Sequence, residues 1–304
     1  MKYRVLFCDI SAEEGQTLPS RYSLWHDPFF MRTVADMHGI SPYQIQVYKS
    51  EELVGIMPVY ERRRMGVKAL VAPVGTYYQG LSTFFLPQTS SPRVLLDTIT
   101  ICERIAGFLT DNYRRVNIRL NPGNTDVRGF TWNGLKARPL YTFSQYRDEE
   151  PFVLPEERRY LRKAESAGLI LKEGYDLDSF LRLQEDLDKR KGHNLGIGYD
   201  TLGRYIDALH GKGMIKQFNV YHEDRIILAA ILLWGGNEII YTLYIAGDEA
   251  SLPLGASALQ NRMTLSLLPE EITISDFCGA NIRDVARFKG AMGLSLSAFY
   301  QLSI

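Results

Sequence analysis

The chain repeats itself, and any fold proposed for it has to accommodate the repeat. Gln44-Ile-Gln-Val-Tyr48 returns 173 positions later as Gln217-Phe-Asn-Val-Tyr221, with glutamine, valine and tyrosine in register. A short polar stretch follows each copy, Lys49-Ser-Glu-Glu52 in the first and His222-Glu-Asp-Arg225 in the second. Apolar runs then begin at Leu53-Val54 and at Ile226-Ile227. An alternating strand, a polar turn and an apolar strand make a β-hairpin. Each hairpin precedes a long helical pattern and another strand. These are Val94 to Tyr113 and Val116 to Leu120 in the first copy, and Ala256 to Leu268 and Ile272 to Asp276 in the second. Three pieces in one order point to internal duplication. The alternative is two unrelated α+β layers.

Length agrees with duplication, since 304 residues at ~150 per domain make two domains. The expected seam is the polar, proline-ended Arg147-Asp-Glu-Glu-Pro151, which divides the chain into residues 1–150 and 151–304. The two halves are expected to superpose, with hairpin 44–60 over hairpin 217–233. Other elements follow from local signals. A strand covers Tyr3 to Cys8, and a helix runs from Pro28 to Met37 between an Asp27 cap and a Gly39 stop. Strands cover Ala69 to Val74 and Lys136 to Tyr146. Helices cover Glu156 to Ala167, Leu177 to Lys191 and Thr201 to His210, the last two capped by Asp176 and Asp200. A strand from Thr273 to Phe277, a helix from Ile282 to Met292 and a strand from Ala298 to Leu302 close the chain. The fold class is α/β (α+β): two tandem domains, each a mixed sheet flanked by helices.

Charge and cysteine content exclude several functions. Thirty-five basic residues balance thirty-five acidic ones, which argues against a polycation built for nucleic acid but leaves room for a local basic patch. Cys8, Cys102 and Cys278 are too few and too scattered for a disulfide framework. No histidine pair has metal-ligand spacing, so no metal site is expected. The longest apolar run, Ile226 to Trp234, is far short of the ~20 residues that span a bilayer. Asp9 interrupts the apolar stretch behind Lys2 and Arg4, so no export signal forms, and the expected compartment is the cytoplasm.

No nucleophile elbow, phosphate loop with lysine, zinc helix motif or dinucleotide glycine pattern occurs. Cys278 reads as a packed small hydrophobe. His193 lies in the glycine-rich Lys191-Gly-His-Asn-Leu-Gly-Ile-Gly198, a surface connection or a loop that closes over a substrate. Arg62-Arg-Arg64 ends a hairpin strand as a solvated turn or an anion contact. Three further segments carry more polar and aromatic groups than packing needs: Trp25-His-Asp-Pro-Phe29, Pro73-Val-Gly-Thr-Tyr-Tyr-Gln-Gly80, and Asp276-Phe-Cys-Gly-Ala280 with Arg287-Phe-Lys-Gly-Ala-Met-Gly293.

Strand, Asp-Phe-x-Gly-Ala, helix, then Arg-Phe-Lys-x-x-x-Gly resembles the C-terminal signature of the Fem-type aminoacyltransferases. It is equally similar to that of their relatives, the BioF-related acetyltransferases and the CelD proteins. Gly55-Ile-Met-Pro58, Tyr77-Tyr78-Gln-Gly80 and Arg162-Lys-Ala-Glu-Ser-Ala-Gly168 add to the likeness, which runs from about residue 20 to 302. It implies two tandem GNAT folds and transfer of an acyl or aminoacyl group to an amine or hydroxyl of a cell-envelope or polysaccharide precursor. No cofactor is permanently bound. The donor is an acyl-CoA or, in the aminoacyl branch alone, an aminoacyl-tRNA, and the acceptor is a small or nucleotide-linked molecule.

The resemblance also assigns roles. Lys289 takes the place of the family's oxyanion-stabilising lysine; the alternative is a solvated lysine on a short helix. Arg190 resembles an arginine turned toward a phosphorylated acceptor, or else simply complements a helix C-terminus. Asp276, Arg287 and Phe288 belong to the signature. Tyr77 or Tyr78, together with Arg287 to Lys289, is expected to line a cleft between the halves. Tyr241 and Tyr244 fall on opposite strand faces, so one of them at most meets substrate. Gly255, Ala256 and Ser257 correspond to the GNAT phosphate loop at a helix N-terminus. Leu252 departs from that pattern, standing where the loop has a cationic or amide residue, and puts acyl-CoA binding in doubt. A second reading is therefore a degenerate GNAT-like module that binds a saccharide or nucleotide-sugar.

Overall fold

The two copies of the repeat fold into separate units. A computed structural model describes residues 2–11, 23–192 and 195–304, and its contacts gather into Met1–Leu140 with Ala298–Ile304, and Tyr141–Ser297. His193 lies outside the described residues.

The first unit runs β1 (Tyr3–Asp9), α1 (Pro28–His38), β2 (Ser41–Lys49), β3 (Glu52–Arg64), β4 (Val67–Val71), β5 (Ser82–Thr83), α2 (Ser91–Asn112), β6 (Asn117–Arg119) and α3 (Arg128–Thr131). Strand β7 (Lys136–Tyr146) leads out of it. Helix α1 starts where the sequence signals place it: an Asp27 carboxylate oxygen accepts from Phe30 N at 2.9 Å, and Gly39 stops the helix at φ 60°. Strands β1 to β4 are antiparallel neighbours. Leu70 makes a parallel bridge to Val116, and Gln301–Ser303 pair antiparallel with β6. Apolar residues at helical spacing on α2, Ile101, Ile105 and Leu109, are buried against Ile45, Val47 and Met57 of the sheet.

The second unit continues with α4 (Pro155–Ser166), β8 (Ile170–Glu173), α5 (Leu177–Lys191), α6 (Tyr199–Gly211), β9 (Ile215–His222), β10 (Arg225–Trp234), β11 (Ile239–Gly247), α7 (Ala256–Leu267), β12 (Ile274–Asp276) and α8 (Arg283–Ala291). Strand β13 (Ser295–Ser303) ends the order. Strands β8 to β11 are antiparallel neighbours, β12 joins β11 in parallel, and Ser144–Tyr146 of β7 join β12 antiparallel. Within each unit, therefore, four antiparallel strands are followed by a parallel fifth and an antiparallel sixth. The sixth comes from the chain's end in the first unit and from its middle in the second. This exchange moves the boundaries: the division falls at 140/141, and residues 298–304 belong to the first unit, where the sequence suggests 150/151 and a terminus in the second.

The duplication holds residue for residue in the hairpins. Tyr48 faces Leu53 and Val47 faces Gly55, so Val54 is the extra residue of a bulge. Tyr221 faces Ile226 and Val220 faces Leu228, which leaves Ile227 extra at the same offset of 173. The turns match as well, with Ser50 at φ 57° and Glu223 at φ 55°. Buried glutamines repeat one polar pin. Gln44 Nε2 donates to His26 O at 3.0 Å, just ahead of the α1 cap, and Gln217 Nε2 donates to Asp176 O at 2.9 Å, the α5 cap itself. A bulge, a left-handed turn and a pinning glutamine, all at the offset of 173, speak against unrelated layers.

Two local expectations change. Helix α6 starts at Tyr199 behind Gly198, so Asp200 is an acidic first-turn residue and not the cap. The seam arginine is structural: Arg147 donates to the carbonyls of Leu265, Leu268, Pro269 and Ile272 at 2.8–3.0 Å. It binds carbonyls at and just beyond the C-terminus of α7, where a cation is favoured. Arg147→Met should lower unfolding stability in urea by about 2 kcal/mol. Arg147→Lys should restore only part of it, because one ammonium cannot serve four oxygens. An unchanged midpoint in Arg147→Met would show that the cap contributes nothing.

Candidate functional site

The second unit contains a cavity of about 360 Å³ where α4, α7 and α8 meet. Gly255 and Ser257 line it, as the phosphate-loop likeness implies, together with Leu252, Phe288 and Val285. Tyr160 and Glu157 enter from α4, Asp284 from α8 and Lys191 from the end of α5. Gly255 is the N-cap of α7 and supplies no side-chain cap to the amides of that first turn. Burial, and the neighbouring charge of Glu156, raise the Glu157 carboxyl above the usual carboxylate range.

Two glycines of the sequence motifs have a packing reason to be glycine. Gly255 has φ 86°, and a Cβ there would lie 2.1 Å from Tyr160 O. Gly293 has φ 75°, and its Cβ would lie 2.6 Å from Phe152 O. Gly255 makes room for the backbone of α4 itself and Gly293 for the segment that enters it.

The loop from β12 to α8, Asp276 and Lys289 lie outside the cavity lining, next to the lining residues of α8, and the loop is tightly held. An Asp276 carboxylate oxygen accepts from Thr142 Oγ1 at 2.6 Å and from Cys278 N at 2.8 Å. Cys278 takes a left-handed φ of 44°, a strained value for a residue with a side chain. Lys289 reaches back from α8 and donates to Phe277 O at 2.7 Å and Gly279 O at 2.6 Å. It is only 7% exposed, not the solvated surface lysine that a short helix suggests. Burial pushes its ammonium down to about 8, against the opposing pull of Cys278 and Asp276.

The other candidates divide. Phe288 lines the cavity, whereas Arg287 is exposed and does not. Ala256 is fully buried in a cluster with Ala164 and Val220, so its side chain is core. Arg190 is tethered to Gly247 O at 3.3 Å and lies outside the cavity lining. Tyr241 and Tyr244 correct the alternation argument. Tyr241 faces Leu233 and Tyr244 faces Ile231, because a bulge takes up Leu243. Both tyrosines therefore share one face, on which Tyr244 packs against Phe180 of α5 at 6.0 Å between centroids. The Tyr244 hydroxyl is buried with no hydrogen-bond partner among the described residues, and burial raises its pKa. Tyr77 and Tyr78 belong to the first unit. Tyr78 is fully buried, edge-on to Trp25 at 5.6 Å, and so is core; Tyr77 is half-buried, with the Arg119 guanidinium over its ring at 5.7 Å.

The sequence alone does not reveal Glu157, Tyr160, Lys191, Asp284 or Thr142. Glu157, Tyr160 and Thr142 sit in no motif and join the site through α4 docking and the pairing of β7 with β12, while Lys191 and Asp284 come from the end of α5 and from α8, where nothing marks them as site residues. The positive-φ glycines are the one local sign of that docking.

Four antiparallel strands followed by a parallel fifth, built twice, define the tandem GNAT fold of acyl- and aminoacyltransferases. Solved structures of this fold are similar, FemX among them. FemX shares 14% identity over 91% of this chain and 92% of its own, with a TM-score of 0.63. L-PGS from Bacillus licheniformis shares 11% over 90% of this chain and 86% of its own, at 0.53. A tandem GNAT protein of the clavulanic acid biosynthesis pathway shares 10% over 99% and 98%, at 0.52. No protein-family profile and no curated protein sequence matches the chain. Among the described residues no helix is long and apolar enough to cross a membrane.

Proposed function

We propose that the second unit is the catalytic unit of a cytoplasmic acyltransferase that takes an activated acyl group at the α7 N-terminus and passes it to an amine or hydroxyl. The observation that carries this is Lys289. A binding module has little use for an ammonium that is buried, held by two loop carbonyls and next in sequence to the cavity-lining Phe288, whereas such groups are characteristic of active sites.

The acceptor's lone pair attacks the acyl carbonyl, the carbonyl oxygen gains charge, and the donor's sulfur or ribose oxygen leaves with the electron pair. The proton shed by the acceptor ends on that leaving group. An activated donor asks mainly for orientation and oxyanion stabilisation. Phe277 and Gly279 carbonyls take two of the three Lys289 donors, and we assign the third N–H to the developing charge. Phe288 and Val285 give the acyl group an apolar wall, and the uncapped first turn of α7 attracts negative charge on the donor. The likeness to Fem-type enzymes supports a cell-envelope precursor as acceptor.

A thermal-shift screen with acetyl-CoA, longer acyl-CoAs, aminoacyl-tRNA and UDP-linked precursors tests the reading. A donor held at about 100 Kd should stabilise the protein by about 2.7 kcal/mol. If only the UDP-linked compounds shift the melting temperature and no acyl transfer appears by mass spectrometry, the transferase reading is wrong.

A further inference from the structure

A second concavity, of about 510 Å³, opens on the other side of the segment that carries Leu252. Arg159, Arg162 and Lys163 of α4 line it, with Ser166 and with Pro253 and Leu254. Leu252 and Gly255 line the cavity described above, so four consecutive residues form a ridge between the two. Tyr160 joins them from α4: its ring lines the first cavity, while the Arg159 guanidinium and the Lys163 ammonium lie over it at 5.7 and 5.2 Å.

None of the three cations makes an ion pair among the described residues, and no acidic residue lines the trough. All three side chains are exposed. Three unneutralised cations around one concavity make a site for a multiply charged anion. Two guanidiniums and an ammonium suit phosphate oxygens, since arginine offers paired donors and lysine a point charge. The neighbouring cavity, by contrast, carries Glu157 and Asp284 as well as Lys191. That mixture is a poor place for several phosphates at once.

The geometry points to α4 as the holder of the phosphate-bearing end of the acyl donor. Its cations do from the next helix what Leu252 cannot do from the loop, and the acyl end crosses the ridge into the smaller cavity. This rests on the reading that the second unit binds an activated acyl donor. Two donors share the required chemistry, a phosphorylated coenzyme A and the 3′ end of an RNA.

Calorimetric titration of the full chain with CoA, dephospho-CoA and a 3′-CCA RNA hairpin tests the inference and separates the sources. The variants are Arg159→Gln/Arg162→Gln/Lys163→Gln and, alone, Arg162→Glu. Wild type should bind CoA or the RNA, and the triple variant should bind that probe at least about tenfold more weakly, as lost charge-assisted hydrogen bonds require. Its affinity should also depend less steeply on salt. Arg162→Glu should reproduce the direction with an unchanged melting temperature. If dephospho-CoA binds wild type and triple variant equally while CoA does not, the 3′-phosphate is the group held. A loss confined to the hairpin identifies RNA. Binding within twofold in wild type and triple variant for every probe, or no binding of any probe by wild type, overturns the inference. Acyl transfer that still depends on Lys289 while the triple variant binds normally would remove the trough and leave the transferase reading standing.

Discussion

Gly255→Ala should lower the stability of the chain by about 2–5 kcal/mol, more than alanine at a left-handed glycine with open space around it. The left-handed φ of 86° costs a residue with a Cβ about 1–2 kcal/mol. The added carbon would also sit 2.1 Å from Tyr160 O, and displacing packed backbone costs about 1–3 kcal/mol more. Gly213 is the control within the same unit, at φ 74° with nothing within 4 Å of its added Cβ. Gly213→Ala should cost only the backbone part. Urea unfolding of both variants decides: equal midpoints would mean that α4 yields freely to α7. The glycine is thus required for packing whether or not a donor ever binds, so a phosphate-loop glycine in the sequence is weak support for a phosphate site by itself.

Lys289→Met should cost about 10²–10³ in turnover, the usual price of one oxyanion donor, with little change in donor affinity. It should also melt earlier than wild type, because Phe277 O and Gly279 O lose their donors. An exposed lysine on a short helix would have predicted no such loss. The titration has a definite sign. The folded-state value of about 8 lies below the ordinary lysine value of 10.5, so protonation favours the unfolded chain. Stability from this group is therefore fully present above about 10.5 and is lost as pH falls from there to about 8, with no further loss below. Turnover runs the other way, since it uses the charged form, and should decline as pH rises through about 8. Lys289→Arg should lose that alkaline limb along with part of the rate. An unaltered alkaline limb in Lys289→Arg would assign it to another group.

Local chemistry made the repeated hairpins, α1 with its Asp27 cap, and α5 with its Asp176 cap readable from the sequence. The turn residues, the alternation and the cap side chains all act within a few positions of one another. What escaped depends on distant pairing. The exchange of the sixth strands sets the true unit boundaries, and no composition change marks it. The bulge at Leu243 reverses the facing of Tyr244 relative to simple alternation. Lys289 looks solvated because its acceptors lie ten and twelve residues earlier, in a loop whose shape Thr142 helps to fix from another strand. For the candidate site, the motifs located the α7 and α8 walls, while the motif at 162–168 marked α4 but not the Glu157 and Tyr160 positions that face the cavity.

The central claim is that the cavity beside the Lys289 loop holds the acyl donor. Donor affinity in wild type, Ser257→Trp and Lys289→Met tests it most directly, using whichever donor the thermal-shift screen identifies. Ser257 lines the cavity at the first turn of α7, and an indole there fills the space the donor needs. The account predicts that Ser257→Trp weakens donor binding by at least about tenfold, the loss of about 1.4 kcal/mol or more. Lys289→Met should bind the donor as wild type does and fail to transfer it. Wild-type affinity in Ser257→Trp would contradict the account, because the donor would then bind elsewhere.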